Sequence, residues 1–339
     1  MKTIFIVDDN NVNLLTADEA LSVHYRVFTM PSASSMFELL EDIKPDIILL
    51  DILMPEMNGF EALRMLKVNK RLSDIPVVFL TSRNDASTET LGFEMGAVDF
   101  ISKPFSQPVL LNRIRAHLDM EDIIRERTDA VVKLKDSIVS VLANFAEYRN
   151  MAAGNHIERT TKYVGLLLDG MCQRKVYTDE IGEWDLDMVI ASSRLHDIGK
   201  IAVKGIILNK PGKLSDDEFA IVKTHASEGE KIINSIIAQA GNTAFLQYAK
   251  LFAGYHHERM DGDGYPYRLK GLAIPLLGRI MAIVDVYDAL VSDRPYKIKC
   301  SHSRAIATIK ENSGTQFDPD LVDVFLSCEK NFDNVSREN

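Results

Sequence analysis

The chain has 339 residues, 46% of them hydrophobic, which suits two domains with ordinary packed cores. Its 49 acidic residues outnumber 39 basic ones and leave a formal net charge of −10, a field that repels nucleic-acid polymers and anionic membrane surfaces. The three cysteines, Cys172, Cys300 and Cys328, are far apart and form no CxxC, which argues against a disulfide framework or a thiolate zinc site.

Asp8 and Asp9 cut the apolar start too early for a secretion signal, and no apolar stretch approaches a membrane span. The expected location is cytoplasmic, with no membrane partner. Short apolar runs at 3–7, 26–29, 46–50, 76–80 and 98–101 alternate with helical segments near 12–23, 33–43, 59–69 and 86–95, and another from about 106. Three of the runs are nearly continuous Val, Ile, Leu and Phe, as in parallel strands covered on both faces. Five strands alternating with five helices predict a doubly wound α/β domain, with its ligand crevice at the carboxyl ends of the strands.

Those ends carry chemistry. Asp8 and Asp9 follow the first strand, Asp51 the third, Thr81 the fourth, and Lys103 the fifth. Three carboxylates in one crevice repel each other unless a hard cation such as Mg²⁺ sits among them. The set resembles the receiver domain of bacterial two-component response regulators, over residues 1–119. The resemblance implies that Asp51 is the phosphoacceptor, that Asp8, Asp9 and Asp51 bind Mg²⁺, and that Thr81, Phe100 and Lys103 read the phosphorylated state. It also implies a cognate sensor histidine kinase as partner.

From about 106 to 149 the chain holds almost no Gly or Pro. Ile124, Val131, Ile138 and Phe145 recur every seven residues, with Leu134 and Val141 between them and Arg127 as an interruption. This predicts a linker helix over 120–149 with a heptad seam, which either pairs two chains as a homodimer or packs on its own domain. The remainder, 150–330, reads as an all-α domain. One helix start is marked by the capping box of Ser215 and Glu218. No helix-turn-helix with a basic recognition helix is evident, so a DNA-binding output is not expected.

Five of the eight histidines and two aspartates fall in one pattern: His156, His196-Asp197, His225, His256-His257 and Asp285. Neutral imidazole and carboxylate suit Fe, Mn, Ni or Zn, and a helical bundle can aim such ligands at one centre. The segments His196-Asp197-Ile198-Gly199-Lys200, His256–Pro266 with its Gly264-Tyr265-Pro266, Asp285–Leu290 and Arg294-Pro295-Tyr296-Lys297 resemble the HD-GYP phosphodiesterases. That family hydrolyses cyclic dinucleotides, chiefly cyclic di-GMP.

The resemblance implies two divalent transition metals, with Fe, Mn or Ni expected. His156, His196, Asp197 and Asp285 would bind one, and Asp197, His225, His256 and His257 the other. It implies that Lys200 and Arg294 hold substrate phosphates and that Tyr265 contacts the substrate. Asp197 and Lys200 would carry the chemistry. The chain departs from the family where some members have a third-metal Glu four residues before the first His; here that position is Ala152. Arg268 stands where many members have Gly. The expected activity is phosphorylation-controlled opening of a cyclic dinucleotide to its linear form; the alternative is a low-activity HD-GYP domain that senses the dinucleotide or recruits proteins.

Overall fold

A computed structural model describes residues 1–82, 86–148, 155–292 and 299–338. The chain divides into two compact units, Met1–Val131 and Val132–Asn339.

The first unit holds five parallel strands, β1 Thr3–Val7, β2 Arg26–Met30, β3 Ile47–Asp51, β4 Val77–Thr81 and β5 Asp99–Ser102, in the order β2-β1-β3-β4-β5. Between them run α1 Asn11–Leu21, α2 Ala33–Asp42, α3 Gly59–Val68 and α4 Ala86–Glu94, and α5 Gln107–Tyr148 follows β5. Alternate residues of a strand point to opposite faces. Phe5 and Val7 accordingly join one core with Met36, Leu63 and Phe79, whereas Ile4 and Ile6 join another with Leu21, Leu110 and Ile114. Both faces of the sheet are covered, so β3 and β4 are buried along their whole length. The strand order reverses beside β1, which opens the crevice at the ends of β1 and β3.

Helix α5 changes its buried face along its length. Leu110, Ile114 and Leu118 pack in the first unit, whereas Val139, Ala143 and Ala146 pack in the second with Ile157, Leu195, Ile198 and Ile233. The heptad residues Ile124, Val131, Leu134, Ile138, Val141 and Phe145 belong to neither core and are all exposed.

The second unit is helical. After the end of α5 come α6 His156–Arg174, α7 Thr178–Ile181, α8 Leu186–Ser192, α9 Gly205–Leu208 and α10 Asp216–Ala240. They are followed by α11 Ala244–Tyr255, α12 Leu276–Val291, α13 His302–Glu311, α14 Pro319–Ser327 and α15 Glu329–Arg337. Ser215 and Glu218 form the capping box of α10, each side chain bonding the other's backbone N–H. The main core gathers Tyr163, Leu167, Phe252, Ile280, Tyr287, Phe325 and Phe332 around α6 and α12. Two 3₁₀ turns, Ser193–Leu195 and Ile198–Ala202, flank His196 and Asp197.

Candidate metal centre and acidic pocket

In the first unit, Asp8 follows β1 and Asp51 ends β3, both buried, while Asp9 is exposed. One oxygen of each of the three carboxylates lies within 4.8 Å of the others. Lys103 Nζ bridges two of them, 2.6 Å from Asp8 and 2.8 Å from Asp51. Asn13 Nδ2 and the Asn10 backbone N–H also donate to Asp8. Burial raises the Asp51 pKa, and Asp8 pushes the same way against the opposing Lys103. Thr81, the last residue of β4, is buried, and its carbonyl accepts from Lys103 N–H at 2.7 Å. Phe100 is buried too, with its ring 5.4 Å from Phe79 and 5.0 Å from Phe93.

The histidines of the second unit come from distant stretches of chain. His156 opens α6, His225 lies within α10, and His256 and His257 follow α11. Asp285 is on α12. A close backbone contact sets His196-Asp197 against α10. A Cβ added at Gly199 would lie 1.9 Å from the His225 carbonyl oxygen and 2.4 Å from Gly229 N. Only glycine lets the two segments approach so nearly.

The ligand atoms form two triads, His156, His196 and Asp285, and His225, His256 and His257, each within 4.8 Å. Asp197 faces both. Its Oδ2 lies 3.3 Å from His196 Nε2, and its Oδ1 lies 3.3 Å from His225 Nε2 and 3.7 Å from His256 Nε2.

The tautomers follow from what each Nδ1 touches. His196 Nδ1 donates to Ser193 O at 3.0 Å, His225 Nδ1 to Val222 O at 2.7 Å, and His256 Nδ1 to Phe252 O at 2.9 Å. A carbonyl can only accept, so the proton is on Nδ1 and the Nε2 lone pair is free. His156 Nδ1 makes the equivalent bond to Asp288 Oδ2 at 2.7 Å. The free nitrogens nevertheless face one another, His156 and His196 Nε2 at 3.4 Å and His225 and His256 Nε2 at 3.3 Å. Buried Asp197 Oδ1 has no hydrogen-bond partner among the described residues. Opposed lone pairs around an orphaned carboxylate oxygen call for positive charge between them, and divalent cations fit both triads.

The electrostatics show the same demand for positive charge, which on His196 falls to a proton on Nε2 when no cation is present. Burial opposes charge on His196, but the Asp197 carboxylate, helped by Asp285, pushes its pKa up to about 9. Burial pushes His225 down to about 4, with His256 adding to the effect, and holds His257 well below its usual value. Asp197 is held well below the carboxylate range; burial works against its charge, but Lys200 and His196 outweigh it. Lys200 Nζ lies 2.6 Å from Asp197 and 3.3 Å from Glu147.

Tyr265 stacks on His257 at 4.7 Å and lines the cavity beside the histidines. Gly264 lies against its own loop, where a Cβ would come within 2.5 Å of Arg259 N and 2.6 Å of Glu258 Cα. Its smallness thus serves the fold of the loop. Arg294 and the positions around Ala152 lie outside the described residues.

Three residues without a role in the sequence reading complete the pocket. Asp288 orients His156 and is itself clamped by Arg159, with Nε to Oδ1 at 2.6 Å and Nη2 to Oδ2 at 2.9 Å. It stands one helical turn from Asp285, the signal that could have found it. Buried Glu147, on α5, has an oxygen within 4.8 Å of ligand atoms of His156 and Asp197. Buried Glu258 accepts from Tyr267 N–H at 2.7 Å and Leu269 N–H at 2.9 Å, holding the Tyr265 loop.

A family model for the HD domain matches residues 120–321, and one for the response regulator receiver domain matches 4–115. A Vibrio cholerae serotype O1 protein named probable cyclic di-GMP phosphodiesterase is 38% identical over 351 residues, covering 99% of this chain and 80% of its own length. The Xanthomonas campestris pv. campestris protein named cyclic di-GMP phosphodiesterase response regulator RpfG is 31% identical, covering 95% and 86%. A second Vibrio cholerae protein, named 3′3′-cGAMP-specific phosphodiesterase 2, is 37% identical over 204 residues, covering 59% of this chain and 37% of its own. With both domain models matched and relatives aligned along nearly its whole length, the chain belongs to the family of response regulators that carry a receiver domain ahead of a metal-dependent HD phosphodiesterase domain.

Proposed function

We propose that the protein hydrolyses a cyclic dinucleotide, cyclic di-GMP, to the linear dinucleotide at a binuclear metal site, under control of phosphorylation at Asp51. The observation that carries this reading is the opposed Nε2 lone pairs of two histidine pairs, with Asp197 presenting one oxygen to each. The names of the relatives support the substrate.

His156, His196 and Asp285 would hold one cation and His225, His256 and His257 the other, with Asp197 between them. When bound, the cations supply positive charge that lowers the pKa of water and stabilises the phosphoryl oxygens. The donor set suits Fe, Mn or Ni. Hydrolysis adds water across one 3′–5′ diester: the water oxygen bonds to phosphorus, and the 3′ oxygen leaves and takes up a proton. Lys200 keeps Asp197 ionised through its short ion pair and has donor capacity left for a substrate phosphate. Tyr265 offers a ring and a hydroxyl at the cavity wall, and Arg294 retains the phosphate role its motif implies. Glu147, 3.3 Å from Lys200, forms a third candidate group with His156 and Asp197, so metal content decides between two ions and three.

In the receiver, Asp51 would accept a phosphoryl group from a sensor histidine kinase, with Mg²⁺ held by Asp8, Asp9 and Asp51. Lys103 is within reach of the new phosphate, and Thr81 and Phe100 would report it. The exposed heptad residues of α5 support pairing with a second copy.

The test is product analysis of metal-loaded protein on cyclic di-GMP, together with metal content. Linear dinucleotide and about two ions per chain are expected; binding without product would replace hydrolysis by sensing. Labelling by a small phosphodonor should vanish in Asp51→Asn, and equal labelling would overturn the phosphoacceptor.

A further inference from the structure

A cyclic dinucleotide carries two phosphodiesters in one ring. A centre that cleaves one leaves the other, still charged, across the ring. In a protein of net charge −10 that second anion needs a local cation. Lys200, paired with Asp197 and Glu147, lies beside the cleavage centre and serves the phosphate cleaved there, and Arg294 lies outside the described residues.

Two cavities share Lys223 and Tyr265, and one of them is lined by His256 and His257. The inner one, of about 270 Å³, is lined by His256, His257, Tyr265 and Lys223. The outer one, of about 390 Å³, shares Lys223 and Tyr265 and adds Arg268. Lys223 stands on α10 two residues before His225 and is partly buried. Its ammonium lies 4.6 Å from the Phe219 ring centre and 5.5 Å from that of Tyr265. No carboxylate pairs with it among the described residues, and the same holds for Arg268. A cation held over aromatic faces and not neutralised by an acid is positioned to meet an anionic ligand. Arg268 has φ +57°, a left-handed backbone that a non-glycine residue enters only at a cost. Asp263 also lines both cavities; it and Arg268 are both exposed, so solvent screens their charges, whereas Lys223 is partly buried.

We propose that Lys223, with Arg268 supporting it from the outer wall, binds the second, uncleaved phosphodiester and so selects dinucleotide rings over diesters with a single phosphate. This rests on the cyclic-dinucleotide phosphodiesterase reading above. Lys223 is a specificity-determining residue, placed one step outward from the metal ligands along the substrate's path.

The experiment compares the full-length, Mn²⁺-loaded wild type with Lys223→Met, which keeps the aliphatic stem over the rings, and with Lys223→Arg. The substrates are cyclic di-GMP and bis(p-nitrophenyl) phosphate, which has one phosphate. In Lys223→Met, KM for cyclic di-GMP should rise about ten-fold, as expected for one lost charge-assisted phosphate contact, while kcat changes less than about two-fold. The preference in kcat/KM for the cyclic dinucleotide over the simple diester should fall by a similar factor, and Arg should restore most of it.

An unchanged KM, or equal losses on both substrates, overturns the assignment. Arg268→Gly, which removes a cation and relieves its backbone, should lower the same preference about three-fold; it settles the matter if Lys223→Met does not fold, and no change then counts against the proposal. A wild type that cleaves the simple diester but neither cleaves nor binds cyclic di-GMP overturns the parent reading and this one with it. If nothing is cleaved, calorimetric Kd values decide: about ten-fold weaker binding of cyclic di-GMP by Lys223→Met supports the assignment, and equal affinity overturns it.

Discussion

In the first unit, carboxylates face a lysine; in the second, imidazoles face an aspartate. Lys103 lies between Asp8 and Asp51 and offsets part of their repulsion. The histidine pocket has its own lysine, but Lys200 reaches only one oxygen of Asp197 and Glu147 beyond it. The other Asp197 oxygen and the opposed Nε2 lone pairs are left for cations. A pocket compensated by a side chain can exist loaded or empty, as a switch requires. One whose acceptors face each other calls for cations between them.

The sharpest way to break this contrast is Asp197→Asn. Turnover of cyclic di-GMP should drop on the order of 10³-fold or more, because one residue serves both triads. Chromatographic product assays check it, and retention of a tenth of the activity would mean that Asp197 is not shared.

Asp288→Asn should have the next largest effect. It loosens His156 without removing a ligand, and a loss of about 10–100-fold in metal affinity or activity is expected. Metal titration separates this from a folding defect.

Lys200→Met tests whether the lysine is needed when ions are absent. Two buried carboxylates lose their partner, so unfolding of the chelated protein should become easier by about 3–5 kcal/mol. Adding Glu147→Gln should recover part of that loss. Denaturant titrations decide, and a neutral Lys200→Met would show that solvent already screens the pair.

The smallest effect belongs to the first pocket. Burial raises the folded-state pKa of Asp51 above its unfolded value, so its charge penalises the fold. The penalty is absent below the unfolded pKa and is fully present once pH exceeds the folded one. Asp51→Asn should therefore raise the receiver's melting temperature slightly at pH 7, with the gain shrinking as pH falls into the range of the carboxylate pKa. Thermal melts at the two ends of that range check it; a variant that melts lower at pH 7 would mean that the Lys103 pair outweighs burial.

Much of this organisation was legible in the sequence. Near-continuous apolar runs announced buried parallel strands, and the acids at their ends announced the crevice. The candidate metal ligands stood out because five histidines and two aspartates share one pattern, and the structure brings their side chains together. What stayed hidden were the carboxylates that act through another residue. Asp288 and Glu147 look in sequence like acids on helix surfaces, and only the fold shows them buried. Glu258 stood in plain sight after His257, but its partners, the N–H groups of Tyr267 and Leu269, are defined only once the loop closes. The heptad pattern on α5 left two fates open. The structure shows a different set, Val139, Ala143 and Ala146, meeting the second core, which periodicity alone could not separate from the seam.

The bare contact of Gly199 on the main chain at His225 and Gly229 has one more consequence. No side chain acts as a spacer there, so nothing can be trimmed or lengthened to retune the gap between the two halves of the centre. Any residue larger than glycine there would drive the His196-Asp197 segment off α10 and widen the interval between the two groups of candidate ligands.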